Sequence, residues 1–101
     1  MQALINGVET DCLSVADRGL QYGDGLFETI AVREGGLCLW REHFNRLVNG
    51  ARHFEIPCPP RGILFDECRR LIDSGSPGVL KIVLTRGGGG SAARPGRPRR
   101  R

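Results

Sequence analysis

No stretch of the 101-residue chain approaches the roughly 20 consecutive apolar residues that a membrane helix needs. The segment Met1 to Val8 has neither a basic region nor a long apolar run, so no secretory signal is read there. The expected location is the cytoplasm. Cys12, Cys38, Cys58 and Cys68 include no pair at CxxC spacing, and His43 and His53 form no ligand pattern with them. That excludes the common zinc arrangements, and no metal ligand is expected. In a cytosolic chain the four cysteines read as reduced thiols, mostly buried as small hydrophobes. Lysine is nearly absent: Lys81 stands alone among 15 basic residues.

Acidic residues are missing from one end of the chain. Residues 87–101 hold five arginines (Arg94, Arg97, Arg99, Arg100, Arg101) and no acid. The other ten basic groups face eleven acids, so residues 1–86 carry a net charge of −1 although the whole chain carries +4. From Arg86 onward every residue except Ser91 is Gly, Ala, Pro or Arg. These amino acids own the codon families that begin with two G or C bases. Residues 91–101 therefore read as a disordered basic tail, produced by out-of-frame translation of a GC-rich gene. An uninterrupted ancestral frame ending in the same residues would contradict that origin. Arginine clusters bind phosphate backbones through a salt-dependent term. The tail has no aromatic residue for base stacking, so nucleic acid is not the expected partner.

What is present is ordinary globular composition, 40% hydrophobic and 26% charged, and a length that suits one small domain with one core. Ala3-Leu4-Ile5 precedes Asn6-Gly7, a strong hairpin signal, and Val8 to Leu13 forms the return strand. A connection from Leu13 to Leu20 runs into a glycine-rich bend that begins within it, Asp17 to Gly25. Leu26 to Arg33 reads as a longer strand, and Glu34-Gly35-Gly36 turns it into Leu37 to Trp40. Trp40, Phe44, Leu47, Val48 and Ala51 share one helical face, which predicts a helix from about Arg41 to about Phe54. Pro57, Pro59 and Pro60 end it. Pro60 opens a second helix, with Ile63, Leu64, Cys68, Leu71 and Ile72 on its apolar face, and the run Asp73 to Gly78 terminates it. Val79 to Thr85 is apolar apart from Lys81, as in a central strand buried on both faces. The order ββββααβ predicts an α+β domain over residues 1–90, with two helices on one face of a mostly antiparallel sheet.

Three segments carry a resemblance: Leu4-Ile5-Asn6-Gly7, the bend with its strand (Asp17-Arg18-Gly19, then Gln21 to Thr29), and Glu42-His43-Phe44-Asn45-Arg46-Leu47. Together they resemble the N-terminal domain of class IV pyridoxal-phosphate enzymes, the fold shared by branched-chain and D-amino-acid aminotransferases and by aminodeoxychorismate lyase. Gly78 to Gly87 most resembles the lyase branch.

The resemblance implies a homodimer that uses pyridoxal 5'-phosphate on a small-molecule substrate. The lyase reaction turns 4-amino-4-deoxychorismate into 4-aminobenzoate and pyruvate, toward folate. Arg46 matches the arginine that binds the cofactor phosphate, a task suited to a forked guanidinium. Tyr22 and Phe27 match positions that shape the substrate pocket, and Arg86 stands where a substrate carboxylate could be met. The family needs a lysine that bonds covalently to the cofactor. Lys81 is not at that position, which belongs to the C-terminal domain, so no catalytic residue is assigned and the chain is expected to be inactive alone. Ser91-Ala92-Ala93 also stand where the family carries an arginine and a tyrosine. The other readings are a D-amino-acid or branched-chain aminotransferase fragment, and a non-catalytic chain whose tail binds nucleic acid weakly.

Overall fold

The computed structural model describes residues 2–72 and 76–87. The basic segment 91–101, and the part of the expected helix terminator at 73–75, lie outside the described residues.

Two tight turns start the architecture. Asn6 and Gly7 both take positive φ, as do Glu34 and Gly35. Turns of this kind match the twist of paired antiparallel strands. The first joins β1 (Leu4–Ile5) to β2 (Val8–Glu9). The second joins β3 (Gly25–Arg33) to β4 (Gly36–Leu37). β3 also pairs antiparallel with β5 (Gly78–Thr85) over eight residues, from Gly25 opposite Thr85 to Val32 opposite Gly78. The result is a two-stranded sheet and a three-stranded sheet of order β4-β3-β5. The fold is α+β, and every described strand pairing is antiparallel.

Alternation decides the faces of the large sheet. Glu28, Ile30 and Val32 of β3 and Leu80 of β5 point inward and are buried. α2 (Trp40–Phe54) and α3 (Arg61–Leu71) cover that inner face. α2 contributes Phe44 and Leu47, and α3 contributes Leu64 and Cys68, to one core with Ile30, Val32 and Leu80. Trp40 packs against the rings of Phe44 and Phe65 and joins the two helices at their rim. At Gly50 a side chain would meet Leu26 Cδ1 at 2.9 Å, so α2 lies close on β3 there.

Four expectations are corrected. The return strand stops at Glu9 rather than Leu13, because Thr10, Ser14 and Asp17 turn the chain through local hydrogen bonds to Cys12, Ala16 and Ser14. β4 ends at Leu37, because Leu39 takes a left-handed conformation and α2 begins at Trp40. β5 is an edge strand among the described residues and is buried on one face only: Val79 is 71% exposed and Val83 60%. The apolar run had pointed to two covered faces, but among the described residues the helices cover only one. Of the cysteines, only Cys68 is buried; Cys38 and Cys58 are half-buried and Cys12 is exposed. Burial, with the Glu67 charge nearby, pushes the Cys68 thiol up to about 11, so it stays protonated at neutral pH.

Candidate functional site

The glycine-rich bend contains a short helix, α1 (Arg18–Tyr22), that the sequence pattern did not predict. Five residues are too few to hold a helix by propagation. Caps hold it instead. Asp17 Oδ2 accepts from the backbone N–H groups of Gly19 (2.8 Å) and Leu20 (3.2 Å), and Gly23 closes the C-terminus in a left-handed conformation. The other carboxylate oxygen, Oδ1, accepts from the Thr85 hydroxyl at 2.9 Å. Asp17 is thereby buried and doubly used. A Cβ at Gly19 would collide with the Thr85 side chain, so glycine is what lets the bend lie on β5.

A second tie runs beside the first. Asp24 Oδ2 accepts from Arg86 Nε at 2.7 Å and from Arg18 Nε at 3.0 Å. The two guanidinium groups hold the Asp24 carboxyl below its ordinary value. Arg86 continues past it and donates from Nη2 to the Phe54 carbonyl (2.8 Å) and from Nη1 to the Glu55 carbonyl (3.3 Å). These are carbonyls at the C-terminal end of α2, which want donors and cations. Arg18 also lies over the ring of exposed Tyr22 at 5.0 Å. Tyr22, Arg18, Asp24 and Arg86 therefore form one connected cluster.

Arg46 belongs to another cluster. It projects from α2 and donates from Nε (3.1 Å) and Nη2 (3.1 Å) to the two oxygens of Glu28. His43, one helical turn earlier, places Nδ1 at 2.7 Å from Glu28 Oε1. Glu28 is buried on the inner face of β3, whereas the Arg46 side chain is 73% exposed. Burial raises the Glu28 pKa, but the hydrogen bonds from Arg46 and His43 outweigh it and leave the carboxyl below its ordinary value. The same carboxylate raises the pKa of Arg46. Among the described residues, only the Nε side of the guanidinium is used: of its five N–H donors, two meet Glu28, and the side chain is otherwise largely exposed.

Phe27 falls on the opposite face of β3 and is 60% exposed. Lys81 of β5 lies over its ring at 4.7 Å. The four predicted residues thus fall into three groups: Tyr22 with Arg86, Phe27 with Lys81, and Arg46 with Glu28 and His43. A cleft of about 660 Å³ between β1, the Pro57–Pro60 segment and β5 reaches Arg86 and Lys81 but none of the other three. Glu28 and Asp24 were missed as partners, although both stand in the recognised motif. The available signal was Glu28 itself: alternation puts it on the same face as Leu26, Ile30 and Val32, where a carboxylate needs a partner.

The two depressed carboxyls fix a pH dependence. A carboxyl with a lowered folded-state pKa stabilises the fold above its unfolded-state pKa, and that stability is lost as pH falls through the folded-state value. The melting temperature is therefore expected to hold steady from neutrality to about pH 5 and to fall below it. In Glu28→Gln the fall should be shallower. Equal acid slopes for the two proteins would contradict the pairing.

Fold and clusters together give the class: an α+β domain with ordered arginine–carboxylate pairs fixed at its longest strands. The family described as amino-transferase class IV matches residues 25–100. The chain belongs to that family. An aminodeoxychorismate lyase from Vibrio harveyi is 31% identical over 91 residues, covering 90% of this chain and 34% of that protein. Among solved structures, 4-amino-4-deoxychorismate lyase from Pseudomonas aeruginosa is 46% identical, with a TM-score of 0.70 over 82% of this chain and 30% of the other. A hypothetical aminotransferase from Mycobacterium tuberculosis, solved in a PLP-bound form, is 32% identical with a TM-score of 0.68, over 83% of this chain and 31% of the other. The chain spans about a third of the length of the relatives it matches.

Proposed function

We propose that the chain forms part of a pyridoxal-phosphate enzyme of the aminodeoxychorismate lyase type, which releases 4-aminobenzoate and pyruvate from 4-amino-4-deoxychorismate. The observation behind this reading is the 46% identity to the lyase of known structure. When bound, the cofactor supplies the electron sink for the bond-breaking step. The donor set on Arg46 suits its phosphate: an open fork on a guanidinium already fixed from its other side. Arg46 would hold the phosphate. Phe27 would line the substrate pocket from the outer face of β3, and Tyr22 would reach it from the end of α1. The exposure of Val15, Leu20 and Tyr22 suits a homodimer in which this bend approaches the partner's site. Arg86 donates from all three nitrogens to protein acceptors, so it would meet a substrate carboxylate only by leaving the Phe54 and Glu55 carbonyls. In this reading it chiefly fixes the bend. Lys81, occupied over Phe27, receives no covalent role, and the 101-residue chain alone is not expected to turn over substrate.

The aminotransferase-like neighbour supports a second reading, transamination of an amino acid. A chimera separates the two. Residues 2–87 would replace the matching stretch of the Pseudomonas aeruginosa lyase. Release of 4-aminobenzoate is expected, and Arg46→Ala should raise half-saturation by pyridoxal 5'-phosphate at least about tenfold, the equivalent of one charge-assisted contact. Transamination of D-alanine without 4-aminobenzoate release would favour the second reading. A folded, cofactor-binding chimera that does neither would overturn both.

A further inference from the structure

We infer that Glu28 is a positioning residue for phosphate recognition: it grips Arg46 from the side so that the end-on fork of the guanidinium is presented outward, and His43 steadies the grip. This inference rests on the proposal that Arg46 meets the cofactor phosphate.

Three observations carry it. The first is cost. Glu28 occupies an inward position of β3 between Leu26 and Ile30, opposite Ile82. An apolar side chain there would continue the pattern without a buried charge to desolvate. Packing therefore does not explain a carboxylate at this position. The second is asymmetry. Glu28 is buried while its arginine partner is largely exposed. An exposed arginine gains little from an ion pair made only for stability. What the pair does accomplish is to restrict a long, rotamer-rich side chain to one geometry. The third is the choice of donors. Both bonds use the Nε side of the guanidinium, which leaves the Nη1–Nη2 fork free to meet two phosphate oxygens in parallel. His43 Nδ1 holds the carboxylate oxygen that also takes Arg46 Nη2, so the carboxylate is itself fixed.

Positioning and simple charge neutralisation predict opposite signs. If Glu28 only cancelled the charge of Arg46, its removal would strengthen phosphate binding. If it positions the fork, its removal weakens binding. The probe is 4-deoxypyridoxine 5'-phosphate, which lacks the aldehyde and cannot bond to Lys81, compared with 4-deoxypyridoxine, which lacks the phosphate. Binding to the 101-residue chain would be followed by NMR. The parent chain should prefer the phosphorylated probe, and Arg46→Ala should abolish the preference. Glu28→Gln should reduce it about tenfold, as expected for one misplaced charge-assisted contact. An unchanged or larger preference in Glu28→Gln would overturn the positioning role and leave the proposed role of Arg46 standing. An unchanged preference in Arg46→Ala would overturn the Arg46 reading itself. A measurement on the parent chain covers the case in which Glu28→Gln fails to fold. The Arg46 Nε–H should stay protected from exchange with the phosphorylated probe bound, and its release on binding would show that Glu28 lets go.

Discussion

Leu47→Ala is expected to lower the unfolding free energy of the chain by about 2–5 kcal/mol. Leu47 is wholly inaccessible to solvent and sits where α2, α3 and the inner sheet face meet, in one core with Ile30, Leu64 and Leu80. Removal of its side-chain carbons loses their transfer free energy and leaves a space that two helices and a sheet cannot easily close. A domain of this size has on the order of 5–10 kcal/mol of total stability, so the substitution consumes a large part of it. Urea unfolding followed by far-UV circular dichroism would measure the loss as a lowered midpoint at unchanged slope. Leu20→Ala, at an exposed position of α1, serves as the control and should change stability by less than about 0.5 kcal/mol. Similar losses in the two variants would mean that the core is not where the structure puts it.

Asp17→Ala should cost about 2–3 kcal/mol, through a different route. One carboxylate both caps α1 and accepts from Thr85. Loss of a cap alone costs about 1 kcal/mol, and loss of the buried hydrogen bond to Thr85 adds a similar amount. The Thr85 oxygen keeps the N–H of Gly87 as its donor, which limits the damage at that end. Hydrogen exchange would locate the effect, with faster exchange at the amides of Gly19 and Leu20. Asp17→Asn keeps an acceptor for those amides and should recover about half of the loss. Full stability in Asp17→Ala, or no local rise in exchange, would contradict the double role.

These variants separate what was legible in the sequence from what was not. The stripe from Trp40 to Ala51 announced α2 to within a residue of its start, because helix periodicity is local. The β-branched run Thr29, Ile30 and Val32 announced β3 for the same reason. α1 went unread because five residues are too few to show a helical period, and Gly19 and Gly23 mark the stretch as a turn. It is held by Asp17 at one end and Gly23 at the other, and by Thr85 far along the chain. β5 was read as central because an apolar run says that its faces could be covered, not what covers them. For the candidate site, resemblance named Arg46 and Arg86, but their partners Glu28 and Asp24 lie 18 and 62 residues away. Pairings over such separations depend on the register of β3 against β5 and on the placement of α2, which periodicity does not encode.

The ties between the bend and the end of β5 have a kinetic consequence. The Asp17–Thr85 and Asp24–Arg86 contacts close loops of 68 and 62 residues, each more than half of the 101-residue chain. Contacts of such separation are formed only after loop-closure entropy has been overcome, and they slow folding where they belong to the nucleus. The helices and the β3–β4 turn depend on near neighbours and can order early. The bend takes its final shape only when β5 arrives, so Asp17→Ala should quicken unfolding and leave the refolding rate close to that of the parent chain.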